Sequence, residues 1–248
     1  RRGARTDMNE CQAFAKRISQ LYIVHPKVKR IYGMLDSIRS HKSFSEGKSS
    51  PRHSFLIGDS GVGKSLMLKG YADMNPGYVY TDEEGTEYDI KPVVYVEIPE
   101  PFTVLELYQT IVSGLGAPQL PGKPTIGEVK RQVFKLINEQ KVEMLILDEM
   151  DYILTSRHVT PIEAMEVIKH IANQAQISLV CAGTPEAGKL RKLKDQYLRR
   201  YAPITLKRFE DCDNEFYSFL EDIEKQIMPP YPIELGNPKK GLSDVLYG

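Results

Sequence analysis

The sequence has no excess of charge of either sign, since 33 lysine and arginine residues balance 33 aspartate and glutamate residues. A neutral chain has no global basic field that would attract a polyanion, so nucleic acid would have to meet a local patch. The balance therefore argues against DNA binding by an isolated monomer. One stretch, 186–208, carries eight basic against two acidic residues, and it is either a solvated helix face or such a patch.

Cysteine is scarce, and long apolar runs are missing. Cys11, Cys181 and Cys212 lie far apart without the paired spacing of metal ligands, so we expect reduced thiols in a cytoplasmic protein. No run of about 18 apolar residues is present, and residues 1–19 lack the apolar core of a signal peptide. These absences argue against a membrane-spanning or disulfide-stapled class, and we expect no membrane partner.

The strongest positive signal is a phosphate-binding loop of the form GxxxxGK[ST]. An apolar run, Ser54–Ile57, precedes it, and a helical pattern follows. Glycines allow the backbone to wrap an anion without Cβ clashes, and the first helical amides point at the phosphates. The predicted nucleotide-binding residues are Gly58, Asp59, Ser60, Gly61, Val62, Gly63, Lys64, Ser65 and Leu66.

Two side chains of this loop carry specific chemistry. The ammonium group of Lys64 supplies positive charge to the terminal phosphates, and the hydroxyl of Ser65 is a ligand for magnesium. The loop thus predicts a nucleoside triphosphate and Mg²⁺ as cofactors. The alternative, a glycine-rich turn without a ligand, is disfavoured by the strand and helix patterns on either side.

A second segment places two carboxylates at the end of an apolar strand. Met144–Leu147 is followed directly by Asp148 and Glu149. Magnesium-assisted hydrolysis needs such a pair, with Asp148 in the magnesium shell and Glu149 orienting and polarising the attacking water. Many strands end in acids, so the alternative is a pair of ordinary surface carboxylates. The upstream phosphate loop favours the catalytic interpretation.

Two further features lie near the ends of predicted strands. Thr184 follows the apolar run Ser178–Gly183, where its hydroxyl either contacts the γ-phosphate or the lytic water or caps the next turn. Arg199 and Arg200 come shortly before the last strand. Such a pair can reach the nucleotide of a neighbouring subunit; the alternatives are a surface ion pair or a contact to DNA phosphate.

Apolar strands alternate with helical patterns along most of the chain, which predicts an α/β fold with a parallel sheet flanked by helices. Tyr78–Tyr80 and Tyr88–Ile90 flank an acidic turn and predict an inserted hairpin. From Asn214 the apolar residues repeat at helical spacing. We therefore predict an N-terminal helical segment and linker (1–50), a nucleotide-binding core (51–210) and the start of a helical lid (211–248), which we expect to be incomplete.

In combination, these motifs resemble those of AAA+ ATPases, which belong to the P-loop NTPases. Within that superfamily, three segments resemble the TniB and TnsC transposition ATPases. They are Tyr22–Pro26, Pro92–Pro99 and Val142–Glu149. The resemblance extends over most of the chain, from about residue 21 to residue 233.

The resemblance implies ATP hydrolysis, with Lys64, Glu149, Thr184, Arg199 and Arg200 as catalytic residues and Ser65 and Asp148 as metal-binding residues. It implies head-to-tail assembly into rings or helical filaments on double-stranded DNA, on the nucleoid of a bacterial-type cytoplasm. The assembly would link a target-selection protein to the transposase. Nucleotide would bind at the junction of core and lid, with His25 and Pro26 near the adenine.

The resemblance also implies a DNA-facing set of residues. By position these are Thr103, Lys123, Thr125, Lys130 and Arg131. The sequence around Thr103 departs from the family pattern, because it lacks the lysine often found there. A hydroxyl and backbone amides would still contact phosphates, without sequence readout. The arginine carried by many AAA+ lids is expected beyond residue 248.

Three alternative functions use the same loop. AAA+ loaders of helicases or replication origins differ from the leading hypothesis only in their partners. A small-molecule or nucleotide kinase would need an acceptor pocket, whereas Asp148 and Glu149 are better suited to activating water. A nucleotide-gated scaffold that barely hydrolyses would retain every motif named above, and turnover with and without DNA separates it from the leading hypothesis.

Overall fold

The computed structural model describes residues 12–19, 21–44 and 50–247. In chain order the elements are α1 (12–19), α2 (Pro26–Phe44), β1 (His53–Ile57), α3 (Lys64–Asp73), β2 (Tyr78–Thr81), β3 (Glu87–Ile90), β4 (Val93–Glu97), α4 (Val104–Gly114), α5 (Ile126–Glu139), β5 (Met144–Asp148), α6 (Asp151–Thr155), α7 (Pro161–Ala175), β6 (Ser178–Gly183), α8 (Asp195–Arg200), β7 (Tyr201–Thr205), α9 (Asn214–Ile227) and α10 (Leu242–Tyr247). Two 3-10 helices span Ala187–Leu193 and Pro238–Lys240. None of the helices in these ranges is long and apolar enough to cross a membrane.

Five strands form a parallel sheet in the order β4-β5-β6-β1-β7. Strands β5 and β6 are buried along their whole length, as expected where helices cover both faces of a sheet. The predicted class, a parallel sheet flanked by helices, is confirmed. Strand β7 begins at Tyr201, which pairs with His53 and whose ring is fully buried.

Threonine caps start three of the helices that cover the sheet. Thr125 and Thr160 form complete capping boxes with the glutamates three residues later. At α4 the Thr103 hydroxyl accepts a hydrogen bond from the Glu106 amide at 3.2 Å and donates to the Glu106 carboxylate. All three helices therefore begin directly after a capping threonine, and α4 lacks only the reciprocal bond of the full motif.

The predicted hairpin is also confirmed. Strands β2 and β3 pair antiparallel, with Tyr80 opposite Tyr88 and Tyr78 opposite Ile90. All four side chains of β2 are exposed. A two-stranded hairpin is marginally stable alone, and here β3 leads through two residues into edge strand β4 of the main sheet.

The chain divides into two compact units, and the described residues of the first are 12–19, 21–29 and 208–247. In this unit the Arg17 guanidinium donates to the carbonyls of Ile227 and Met228 at 2.8 and 3.2 Å. Its main helix, α9, ends at Ile227, just before the proline pair 229–230, which cannot continue a helix. Residues 30–207 form the second unit, which holds the sheet. Part of the predicted linker, 45–49, lies outside the described residues, and the three-part domain division stays a prediction.

Candidate nucleotide site

The phosphate loop lies at the carboxyl edge of the parallel sheet. Ile57, the last residue of β1, pairs in register with Gly183 at the end of β6, and the Gly58 amide donates to the Gly183 carbonyl at 3.3 Å. Strand β5 ends beside them at Asp148. Because the strands are parallel, the loop, the β5 carboxylates and Thr184 all come to one edge of the sheet, where ligands of open α/β folds bind.

Glycine is required by the geometry of the loop. Gly61 and Gly63 have φ angles of 74° and 93°, in the left-handed region that disfavours other residues. A Cβ atom on Gly58 would lie 2.5 Å from the carbonyl oxygen of Leu206, so the loop could not approach β7 with a side chain there. These constraints give the loop the backbone shape that a phosphate group needs.

Lys64 begins helix α3, and its side chain is folded over the loop. The residue is only 9% exposed, and its ammonium group donates to the carbonyls of Gly58 and Asp59 at 2.8 and 2.9 Å. Gly63 offers no side chain to cap the helix, so the first amides of α3 stay available to an anion. Ser65 follows in the same turn, and Leu66 is 57% exposed. The cradle and the charge fit a nucleotide phosphate chain.

Asp148 is buried and its carboxylate is held from two sides. One oxygen accepts the Glu149 amide and the other accepts the Tyr95 hydroxyl, each at 2.8 Å. Burial and the Asp148 charge raise the pKa of Tyr95 above its ordinary value, so the phenol remains a donor. Tyr95 lies on the neighbouring strand β4. Asp148 therefore has a fixed orientation at the strand end.

Glu149 stands in a different environment, although it adjoins Asp148. Its φ angle is 58°, a left-handed conformation that is uncommon outside glycine. Burial, followed by the negative charges of Asp148 and Asp151, raises its pKa, and Lys64 opposes the shift. A carboxylate with a raised pKa beside a lysine is suited to accepting a proton from water.

Thr184 is held by Asp151 at the start of α6. The Thr184 amide donates to Asp151 at 2.9 Å, and the Thr184 hydroxyl donates to the other oxygen of the same carboxylate. The hydroxyl also accepts the Glu186 amide at 3.2 Å. Both interpretations of Thr184 therefore have a structural basis: it caps the next turn, and it lies at the same sheet edge as the phosphate loop.

Arg199 and Arg200 lie away from the loop of their own chain. They end α8, and the next residue, Tyr201, pairs with His53 at the amino end of β1. The loop follows the carboxyl end of β1, so the length of a five-residue strand, about 16 Å, separates the two features. Arg199 is exposed and Arg200 is half-buried. The structure thus separates these arginines from the residues at the carboxyl edge.

Helix α8 is anchored by Glu166 of α7. This carboxylate accepts from Lys194 at 2.7 Å, from Lys169 at 2.8 Å and from the Tyr197 hydroxyl at 2.5 Å. Hydrogen bonds from these three groups, Lys169 first, lower the pKa of Glu166 to about 2. The arginine pair is therefore carried on a short helix whose position is fixed by charged contacts.

The predicted adenine and DNA residues have contacts of their own in the structure. His25 and Pro26 belong to the other compact unit, where the buried His25 ring packs edge-on against Phe209 and Phe219; burial lowers its pKa. The Thr103 and Thr125 hydroxyls cap helices. Lys123 and Arg131 are exposed, and Lys130 is half-buried with its ammonium 5.9 Å from the Phe134 ring centre. These assignments stay predictions.

Magnesium is compatible with this edge of the sheet. Mg²⁺ usually keeps several waters and binds one or two protein oxygens together with phosphates, which matches Ser65 and Asp148. The described residues contain no group of three or more His, Cys, Asp or Glu side chains that could enclose a metal. The Ser65 hydroxyl and the Asp148 carboxylate fit such a phosphate-bound ion.

Sequence reasoning missed three residues that shape the site, namely Tyr95, Asp151 and Glu166. Tyr95 was visible as a polar group within a β-branched strand, and Asp151 as a third acid after Asp148 and Glu149. Glu166 gave only the local signal of a lysine three residues later, Lys169, because its other partners Lys194 and Tyr197 are 28 and 31 residues away.

Solved structures with similar folds come from archaea and bacteria. Aeropyrum pernix ORC2 in an ADPNP-ADP form matches with a TM-score of 0.58 and 15% identity, covering 83% of this chain and 52% of that chain. Aeropyrum pernix ORC1 in complex with DNA gives 0.52 and 16%, with 84% and 50% coverage. AMPPCP-bound DnaA from Aquifex aeolicus gives 0.50 and 18%, with 89% and 58% coverage.

These matches show that the described chain has the AAA+ P-loop ATPase fold, as predicted. At such identities they show the fold alone. The chain spans between 50% and 58% of the length of these structures.

No curated protein matches the sequence. The family model of the bacterial TniB protein matches residues 15–211, which is most of the chain. The chain belongs to the TniB family.

Proposed function

We propose that this chain is an ATP-dependent, DNA-binding regulator of DNA transposition. In this proposal it oligomerises head to tail on double-stranded DNA and links a target-selection protein to the transposase. The family match supports the transposition role. The observation that carries the ATPase part is the meeting of a phosphate loop, a fixed carboxylate at Asp148 and a carboxylate with raised pKa at Glu149 on one sheet edge.

Each residue at this edge has a role in hydrolysis. Lys64 and the first amides of α3 hold the phosphate chain and offset its charge. Glu149 orients the attacking water and accepts its proton on a carboxylate oxygen. Thr184, positioned by Asp151, offers a hydroxyl beside the same water. Ser65 and Asp148 would hold Mg²⁺, which when bound would supply electrostatic stabilisation to the transferring phosphoryl group.

The position of Arg199 and Arg200 supports assembly. Since these residues lie at the amino edge of the sheet, they are far from the loop of their own chain. They act on the nucleotide of a neighbouring subunit, where an arginine stabilises the charge of phosphoryl transfer. Head-to-tail contact supplies that geometry at every interface between subunits. Only the subunit at an open end lacks such a neighbour.

In this proposal DNA binding depends on the assembled row of subunits. Each neutral subunit contributes few phosphate contacts, through Thr103, Lys123, Thr125, Lys130 and Arg131. An oligomer sums these contacts, so binding should depend steeply on salt. The fold is shared with ORC1, whose structure is a complex with DNA. That likeness does not favour an origin-loading function over transposition, because the identity is only 16%.

Electron microscopy of the purified chain with duplex DNA tests the proposal. We expect assemblies in ATP, none in ADP, and none with Lys64→Ala in ATP. Lys225→Ala, an exposed lysine on α9 that pairs with Asp222, is the matched control and should assemble normally. Absence of assembly in ATP, or assembly that ignores the nucleotide, would contradict the proposal.

The partner assignment needs a separate experiment. A transposase from the same element should bind ATP-bound assemblies on DNA and fail to bind the Lys64→Ala variant. Binding of a replicative helicase in place of the transposase would instead support the loader function.

A further inference from the structure

A cavity lies at the amino edge of the sheet, opposite the edge that carries the phosphate loop. Its volume is about 520 Å³, within the range of small-ligand and peptide side-chain pockets. The cavity contacts the hairpin and the segments that lead into β4 and β5. Its polar and aromatic lining includes Tyr78, Tyr80, Asp82, Tyr88, Lys141 and Glu143. Pro92, which also lines it, directly precedes β4, and Glu143 directly precedes β5.

The tyrosines face the cavity because of strand alternation. Side chains two residues apart lie on one face of a strand, so Tyr78 and Tyr80 share a face with Tyr88, the cross-strand partner of Tyr80. The rings of Tyr80 and Tyr88 are 6.3 Å apart at their centres and tilted by 32°. Tyr78 is 58% exposed and Tyr80 is 52% exposed. Three aromatic faces thus remain open to a ligand.

The charge around these rings is negative. Asp82 and Glu143 line the cavity together with Lys141, and the Arg39 guanidinium lies 3.4 Å from the Glu143 carboxylate and offsets its charge. The hairpin turn adds two exposed carboxylates, at Glu83 and Glu84, whereas Glu87 and Asp89 alternate with Tyr88 and lie on the other face of β3. Hydrogen bonds, the largest from the Thr86 amide, lower the pKa of Asp82, so this group stays ionised at neutral pH. This surface repels phosphate and attracts cations.

We propose that the tyrosine cavity binds an arginine side chain in a peptide segment of a partner protein. A planar guanidinium stacks on tyrosine faces and pairs with carboxylates. The cavity offers the rings of Tyr78, Tyr80 and Tyr88 together with the Asp82 carboxylate. Lysine fits less well, because a compact ammonium group does not stack. The acidic rim excludes DNA as the occupant. The site is distinct from the ATPase edge, and its occupant goes beyond the function proposed above.

The full chain labelled with 3-fluorotyrosine provides the test, by ¹⁹F NMR. The probe is the peptide acetyl-Gly-Arg-Gly-Arg-Gly-amide, and its citrulline counterpart serves as a neutral isostere. Signals are assigned with Tyr80→Phe and Tyr88→Phe. We expect saturable shifts of the Tyr80 and Tyr88 signals with the arginine peptide alone. The Tyr231 signal, from a residue 79% exposed in the other unit, should not move.

Two variants extend the test. Tyr80→Ala and the double variant Glu83→Gln/Glu84→Gln should each weaken binding of the arginine peptide by about fivefold. Glu139→Gln, an exposed acid at the end of α5, is the matched control and should bind like the unmodified chain. Equal shifts with the citrulline peptide, no shift at all, or shifts with duplex DNA would each overturn the proposal. No nucleotide is present, so these outcomes are independent of the ATPase proposal.

Discussion

Thr184 and Asp151 form a two-point contact in which the backbone amide and the side-chain hydroxyl of the threonine both donate to one carboxylate. Asp151 begins α6, two residues beyond Glu149, and its charge contributes to the raised pKa of Glu149. One aspartate therefore fixes the orientation of Thr184 and adds, after burial and the Asp148 charge, to the raised pKa of the proposed base.

Replacement of Asp151 by asparagine should slow ATP hydrolysis while leaving ATP binding intact. The amide keeps one acceptor but loses the charge and the second acceptor, so Thr184 loses its fixed orientation; the expected loss in kcat is roughly ten- to hundredfold. Steady-state kinetics on assembled protein measure it. Asp73→Asn, an exposed acid at the end of α3, is the control. An unchanged kcat would remove Asp151 from the mechanism.

Glu149→Gln should bind ATP normally and lose turnover by about 10²- to 10⁴-fold, the usual contribution of a general base. Binding is measured by displacement of a fluorescent ATP analogue, and turnover by phosphate release. Glu139→Gln on the surface of α5 is the matched control. Hydrolysis at the unmodified rate would show that another group orients the water.

The pH dependence of hydrolysis gives an independent measure of Glu149. The base acts when ionised, and its pKa is raised, so kcat should fall on acidification at a higher pH than for an ordinary glutamate. Asp151→Asn removes one of the charges that raise this pKa. The acid limb of its residual activity should therefore shift to lower pH. If the acid limb of the pH profile does not shift in Asp151→Asn, the Asp151 charge does not affect the titration of Glu149.

The arginine pair should act between subunits. Arg199→Ala/Arg200→Ala subunits keep an intact phosphate loop, whereas Lys64→Ala subunits keep intact arginines. Each preparation alone should be nearly inactive, and a mixture should recover activity because some interfaces combine an intact loop with intact arginines. Lys192→Ala, a basic residue in the preceding 3-10 helix, is the control and should be active alone. No recovery on mixing would contradict action in trans.

His53 should make the fold sensitive to acid. It is buried, its Nδ1 accepts the Leu179 amide at 3.1 Å, and burial followed by the Arg200 charge lowers its pKa to about 3. The unfolded chain binds the proton near pH 6.5, so stability falls as pH drops from about 6.5 towards 3. Between pH 7 and 5 the expected loss is ~2 kcal/mol.

Urea unfolding at both pH values measures this loss. His53→Gln should reduce the pH dependence, whereas His158→Gln, at an exposed position, should retain it. An equal pH dependence in both variants would assign the acid sensitivity to other groups.

The proposed DNA contacts predict a change in salt dependence. Lys123→Ala/Lys130→Ala/Arg131→Ala should weaken binding to duplexes of any sequence and lower the slope of log K against log salt by about 0.9 per lost phosphate contact. Lys135→Ala, farther along α5 and paired with Glu139, is the control. An unchanged slope would place the DNA contacts elsewhere.

The local parts of the fold were predictable from sequence, because their causes are local. Loop glycines, threonine caps and the tyrosine hairpin each depend on a few adjacent residues, and the structure contains all three. The order of strands and the separation of Arg200 from the loop depend on pairings between distant segments, such as Tyr201 with His53. The hydrophobic periodicity of the sequence does not indicate which distant segments pair.

The site residues that belong to a chemical motif could be predicted from the sequence. Those that only the folded geometry brings to the site could not. Lys64, Asp148 and Glu149 stand in spacings that phosphoryl transfer demands. Tyr95 contacts Asp148 from 53 residues away. The sequence shows Tyr95 as a polar residue in a strand, but it does not indicate that Asp148 is its partner. The left-handed backbone of Glu149 likewise follows from the turn between β5 and α6.

Strand β1 has hydrogen-bonded neighbours on both sides, β6 and β7, and the phosphate loop continues directly from it. Its amides should be among the slowest in the sheet to exchange with deuterium. A loop rooted in so persistent a strand keeps its curvature when nucleotide leaves. Successive rounds of ATP capture would then start from a preshaped cradle, and the conformational cost of each round would fall on other parts of the chain.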